Sequence, residues 1–221
     1  MTVNARIILG FVFSILMVAC STAPKMMSDP MPQSGFLPNY KLLRQVSNPA
    51  PDTKMWRYRK EGLSASSYKG IIIDPVYLNQ SQTKEISADA LAQTKATLQN
   101  AIVEAVQKRG GLQIVTQAGP GVARVSVAIT GAEVSADPIQ PWNFTPIGLA
   151  AQAASHAGGI NSKTPALVVE NKITDSQSNE FIGGGVVVVQ GESFRTGSGS
   201  VDAFQGMAKK AVQAGMSASG H

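Results

Sequence analysis

"YKGIIIDPVYL", residues 68–78, decides the fold. Three isoleucines in a row, closed off by Asp74 and Pro75, read as a short buried strand. "SADALAQTKATLQNAIVEAVQKRGG", residues 87–111, follows and has the period of a helix. Leu91, Leu98, Ile102, Ala105 and Val106 recur at helical spacing, which gives one apolar face to pack on a sheet. Ser87 can cap the start. Asp89 suits the positive end of the helix dipole, and Lys108 and Arg109 suit the negative end. Gly110 and Gly111 stop the helix. "LQIVT", residues 112–116, returns to strand. Strand, amphipathic helix and strand predict a crossover packed on a sheet.

The later segments add strands of another kind. In "VARVSVAITGAEVS", residues 122–135, Val125, Val127 and Ile129 alternate with Arg124, Ser126 and Ala128. The turn "QAGPG" joins it to residues 112–116. "TPALVVENKITDS" (164–176) and "NEFIGGGVVVVQGE" (179–192) form a hairpin through "DSQSN". Val201–Gln213 is a closing helix with Phe204, Met207, Ala208 and Val212 turned inward. The fold class is therefore α+β: a mixed, mostly antiparallel sheet, one strand-helix-strand crossover, and a C-terminal helix packed on the sheet.

The N-terminus carries an address. Met1–Arg6 holds one positive side chain, and Ile7–Ala19, "IILGFVFSILMVA", holds no charge. Those 13 residues span about 20 Å as a helix, short of a hydrocarbon core of about 30 Å. The segment reads as a signal peptide over residues 1–19. "LMVAC", residues 16–20, resembles the lipobox of bacterial lipoproteins, in which the cysteine is acylated and becomes the first mature residue. Cys20 is the single cysteine of the chain. Its acylation would leave no free thiol and no disulfide. Ser21 in place of aspartate implies the outer membrane, by resemblance to the sorting rule of enteric bacteria. Residues 20–34 follow as the lipidated cysteine and a flexible tether rich in Pro and Met. One periplasmic domain spans 35–213, and a disordered tail spans 214–221.

Four segments carry a further resemblance: "SGFLPNYKLL" (34–43), "YKGIIIDPV" (68–76), "GPGVARVSVAITGAEVS" (119–135) and "DSQSNEFIGGGVV" (175–187). In this order they resemble a Gram-negative lipoprotein family catalogued only as a domain of unknown function. The resemblance implies a lipoprotein address and an α/β fold, and it brings no catalytic residues.

The residues themselves name no reaction. His156 and His221 are the two histidines, and the second ends the chain. No zinc-ligand spacing and no G-x-S-x-G elbow occurs. "GPG" at 119–121 lacks the Lys-Ser/Thr of a phosphate loop and reads as a tight turn. "GGG" at 183–185 reads as a bulge or a close backbone approach. Formal net charge is +5, and the loss of Arg6 with the leader lowers it by one. "KMWRYRK" (54–60) reads as a half-buried edge strand with aromatics in and arginines out. Arg57 and Arg59 are its candidate anion contacts. "TPIGLAAQAASHAGG" (145–159) reads as a short Ala-rich helix. Thr145, Ile147, Leu149, Ala150 and Ala153 are its candidate partner or membrane contacts.

These features exclude no nucleic-acid fold, but the exported compartment argues against such a ligand. The expectation is a lipid-anchored structural or adaptor component of the cell envelope. It would be held to the membrane through Cys20 and docked on an envelope protein, with no enzymatic activity, cofactor or metal. A module for a lipid or small hydrophobic ligand is the alternative.

Overall fold

Eight strands and two α-helices organise the described residues. They are β1 (Arg44–Gln45), β2 (Thr53–Arg59), β3 (Gly70–Ile73), β4 (Tyr77–Leu78), α1 (Ala88–Arg109), β5 (Gln113–Ile114), β6 (Val122–Ala136), β7 (Lys163–Asp175), β8 (Phe181–Gln190) and α2 (Gly197–Ser217). They come from a computed structural model, which describes residue 27 and residues 30–63, 65–79, 86–136, 163–195 and 197–217. Cys20, the 145–159 segment and both histidines lie outside the described residues.

The strands form one sheet in the order β1-β2-β8-β7-β6-β3-β5, with β4 also beside β6. β3 and β4 run parallel to β6, and β3 runs parallel to β5. All other pairs are antiparallel. The fold is thus the α+β arrangement the sequence predicts, with α1 as the crossover between β4 and β5. One detail differs. β5 and β6, joined by the Gly119–Gly121 turn, do not pair with each other. They flank β3 on its two sides, because the parallel partner of each is β3.

Alternation along the strands builds two faces. Met55, Val127, Ile129, Leu167, Val169, Val187 and Val189 point to the side covered by the helices. There Leu98 of α1 and Phe204, Met207 and Ala208 of α2 complete the main core. The α1 caps are as expected: the Ser87 hydroxyl accepts from the Ala90 N–H, and Gly110 ends the helix with positive φ. Thr94 is fully buried in α1, where its hydroxyl donates to the Ala90 carbonyl. That local bond lets a polar residue occupy a core position.

Val168, Val186 and Val188 point to the opposite side. Neither α1 nor α2 covers them. The chain between Met27 and Leu43 does so instead, through Met27, Met31, Phe36, Leu37, Tyr40 and Leu43. This segment, here called the strap, corrects the expected tether: the last part of residues 20–34 already belongs to the domain. The other end shifts too. α2 runs to Ser217 and buries Ala214, so residues 214–217 belong to the helix and not to the tail expected from 214.

β2 is not an edge strand. β8 lies on one side along its whole length, and β1 pairs with Arg57 and Trp56 on the other. Its side chains alternate, but not as expected: Trp56 and Tyr58 face the strap side, and Arg57, two residues on from Met55, faces the helix side and is partly buried.

Gly183–Gly185 shows why a glycine run sits in a buried strand. A Cβ on Gly184 would lie 2.5 Å from the Asn171 carbonyl oxygen, and one on Gly185 would lie 2.6 Å from that of Trp56. The register shifts just before this run, between Ile173 and Thr174 of β7. Both the bulge and the close approach are therefore present. Gly185→Ala should destabilise the protein by about 1–3 kcal/mol, since backbone on the neighbouring strand must move. Chemical denaturation of the two proteins measures this.

Candidate functional site

The sheet's strap side holds the chain's most unusual buried group. Alternation from Val168 puts Glu170 on that side, where it is 0% exposed. A carboxylate there is costly unless its oxygens are hydrogen-bonded. They are. The Tyr40 hydroxyl donates to Oε2 at 2.6 Å. The Thr130 hydroxyl donates to Oε1 at 3.0 Å, and the Ser34 N–H reaches the same oxygen at 3.4 Å.

Each donor is placed by a local device. β6 shifts register between Ile129 and Gly131, and the extra residue, Thr130, aims at Glu170. Tyr40 opens a 3₁₀ turn, Tyr40–Leu42, capped by the Asn39 side chain. Its hydroxyl also accepts the N–H groups of Gly35 at 2.9 Å and Leu37 at 3.3 Å. Linked donors and acceptors of this kind polarise and strengthen one another. The strap is thus fastened at its middle to β7.

Two further joints stand at other places on the sheet. Asp74, just past β3, accepts from Arg124 Nη1 and the Ser126 hydroxyl, each at 2.7 Å. At the β7–β8 turn, Asp175 accepts from the N–H groups of Gln177 and Ser178 and from the Ser178 and Tyr68 hydroxyls. The two Ser178 bonds, foremost, hold the Asp175 carboxyl below its ordinary pKa. Partial burial, then the bond to Asp175, raises the Tyr68 phenol. Buried Ser176 ties this turn to Gly119 through its hydroxyl. Lys60 and Glu180 form an ion pair beside it.

Beside the strap lies an open groove of about 480 Å³, walled by Phe36, Tyr77 and Leu78 and reaching Ser34, Asn79 and Thr130. The Phe36 and Tyr77 rings are 6.1 Å apart. Lys172 Nζ sits 5.3 Å above the Phe36 ring. A second open groove, of about 370 Å³, runs between Ile73, Pro75 and the Ala92, Lys95, Ala96 and Gln99 face of α1.

The candidate anion contacts fall elsewhere. Two residues on from Met55, Arg57 is on the helix side, opposite Gly185. Burial lowers its pKa, and the charges of Arg59 and Arg109 lower it further. Arg109, at the end of α1, is thus near enough for its charge to act on Arg57. Arg59 donates to the Leu63 carbonyl. Cys20, Thr145, Ile147, Leu149, Ala150 and Ala153 lie outside the described residues. Among the described residues no group of three His, Cys, Asp or Glu side chains could hold a metal ion. Among them, too, no helix is long and apolar enough to cross a membrane.

Tyr40, Thr130 and Glu170 are not singled out by the sequence reading, although one signal was there. Glu170 interrupts "ALVVENKI", a run otherwise fit for a strand buried on both faces. An acid at such a position needs partners from a distant segment.

Two consequences can be measured. Tyr40→Phe removes the shortest donor to a buried carboxylate and should cost about 1–3 kcal/mol in urea denaturation. At Asp175 the folded pKa is depressed, so its contribution is present above the unfolded value of about 3.9 and is lost as pH falls through the folded pKa. Asp175→Asn should therefore be less stable than the parent at neutral pH, and the gap should close in acid. Denaturation midpoints across that range give the comparison.

Residues 32–215 match the family described as "Protein of unknown function (DUF3313)". The chain is 26% identical over 166 residues to the "Uncharacterized lipoprotein YdcL" of Escherichia coli K12, spanning 74% of this chain and 73% of that protein. Similar solved structures include a PelC dodecamer from Paraburkholderia phytofirmans, at 9% identity and a TM-score of 0.39 over 72% of this chain and 95% of that one. A hypothetical protein from Chlamydia trachomatis aligns at 11% identity and a TM-score of 0.43, over 69% of this chain and 95% of that one. The family match takes in the strap from Pro32, every strand and nearly all of α2, and the chain belongs to the DUF3313 family, a lipoprotein family of unknown function.

Proposed function

We propose that the chain is an outer-membrane lipoprotein, acylated at Cys20, whose periplasmic domain is a structural or adaptor component of the envelope and not an enzyme. The observation that carries this reading is the strap. The segment that leads from the anchor is fastened to the middle of the sheet by a fully buried carboxylate. The described part of the strap and the sheet are fastened together, an arrangement suited to presenting a surface at a fixed place. The polar joints support the same reading. Glu170, Asp74, Asp175 and Ser176 are each engaged in holding segments together. General acid–base catalysis asks for such groups to face a substrate.

A second reading, a module for a lipid or small hydrophobic ligand, draws on the groove at Phe36, Tyr77 and Leu78. Its volume falls within the range of small-molecule sites. Its open form favours a docking contact over an enclosed ligand.

Complementation of a deletion strain tests the main reading. Cys20→Ser should leave the domain folded but abolish membrane retention in fractionated cells and fail to complement. His156→Ala should complement fully. A folded His156→Ala protein that fails, beside a Cys20→Ser protein that complements, would overturn the adaptor reading in favour of catalysis.

A further inference from the structure

The strap also dictates which side of the domain meets the membrane. Met27 is already packed on the Val168, Val186 and Val188 face. Seven residue steps separate it from Cys20 and span at most about 25 Å when fully extended. Strap, sheet and helix pair stack as three layers of about 10 Å each, so the far side of the helices is about 30 Å from the strap's outer surface. An anchor reaching from Cys20 to Met27 is too short to pass around that stack and bring the helix side to the lipid. It holds the strap side down.

The chemistry of that side matches a lipid interface. Three large hydrophobic side chains are well exposed among the described residues: Leu42 at 38%, Tyr77 at 51% and Ile114 at 41%. Leu42 lies in the strap and Tyr77 beside it against Phe36, so two of the three border the strap. Lys41 is exposed in the same turn. Lys54 and Lys172 follow the alternation of Trp56 and Glu170 onto this face and are half-exposed. Of the carboxylates on this side, Glu170 is buried beneath Tyr40 and Asp74 is paired with Arg124, while Glu133 stands toward the far end of β6 and accepts from the Ser135 hydroxyl. Amphipathic aromatic side chains favour the headgroup level, and lysines near it are attracted to anionic lipid.

We propose that this strap-bearing face lies on an anionic lipid surface. Leu42 and Tyr77 enter the headgroup layer, Lys41, Lys54 and Lys172 meet lipid phosphates, and α1 and α2 face away. The inference rests on the acylation of Cys20 proposed above and adds the orientation.

The test uses the lipidated full-length protein in vesicles of phosphatidylethanolamine with phosphatidylglycerol. Acylation occupies the chain's single cysteine. A cysteine introduced by Leu42→Cys, Tyr77→Cys or Lys209→Cys therefore takes a fluorophore alone. Lys209 is exposed on α2. Labels at 42 and 77 should be several-fold less accessible to an aqueous quencher than the label at 209. Lys41→Glu combined with Lys172→Glu should bring the label at 42 toward the accessibility at 209. Equal accessibility at all three positions, in protein whose acyl mass is confirmed by mass spectrometry, overturns the orientation alone. Protein that lacks the acyl mass and stays in the supernatant overturns the anchor reading, and the orientation falls with it.

Discussion

One buried carboxylate sets the terms for this domain. Glu170 stands in the central strand β7 with no water to solvate it, so the structure must bring donors to it. Thr130 comes from a bulge in the adjacent strand, and Tyr40 comes from a segment that forms no part of the sheet proper. Without the carboxylate, Leu37 and Leu43 would still favour the Val168–Val188 face by apolar burial. That attraction is non-directional, and many placements of a Pro- and Met-rich segment would satisfy it. The Tyr40 bond selects one. The same hydroxyl then organises its own segment through the Gly35 and Leu37 N–H groups.

The four sequence segments that carry the family resemblance can be understood in this light. "SGFLPNYKLL" is the strap and holds Tyr40. "YKGIIIDPV" holds Asp74, and "GPGVARVSVAITGAEVS" supplies its partners Arg124 and Ser126 as well as Thr130. "DSQSNEFIGGGVV" supplies the Asp175 turn, Ser176 and the glycine run. Each segment carries a joint between parts of the chain far apart in sequence.

The fold was legible where a local pattern carried the signal. Three isoleucines before Asp74-Pro75, the capped period of residues 87–109, and the two valine-rich runs around "DSQSN" each point to one element without reference to the rest. The strap was not legible, because nothing local marks it. Prolines at 24, 30 and 32 and the lack of period read as tether, and only the packing on β7 and β8 reveals the last of those residues as a cover. β2 was misplaced at the edge for a related reason. Its alternation reports two differing faces, and says nothing of how many strands stand beside it. Of the site residues, Arg57 and Arg59 were found by composition, and Arg109, far along the chain, acts on Arg57 through its charge only in the folded protein.

The strap also bears on the order in which the chain can mature. Tyr40 and Glu170 are 130 residues apart in sequence. During synthesis and export the strap emerges first, and the strand that fixes it emerges far later. Until β7 and β8 are paired, the strap has no seat, and once they pair their outer valines have no cover until it returns. Closing so long a loop is slow compared with forming α1 or the β7–β8 hairpin. The last long-range closure is therefore the one nearest the N-terminus, and its speed sets how long a valine-rich sheet face stays open to other chains.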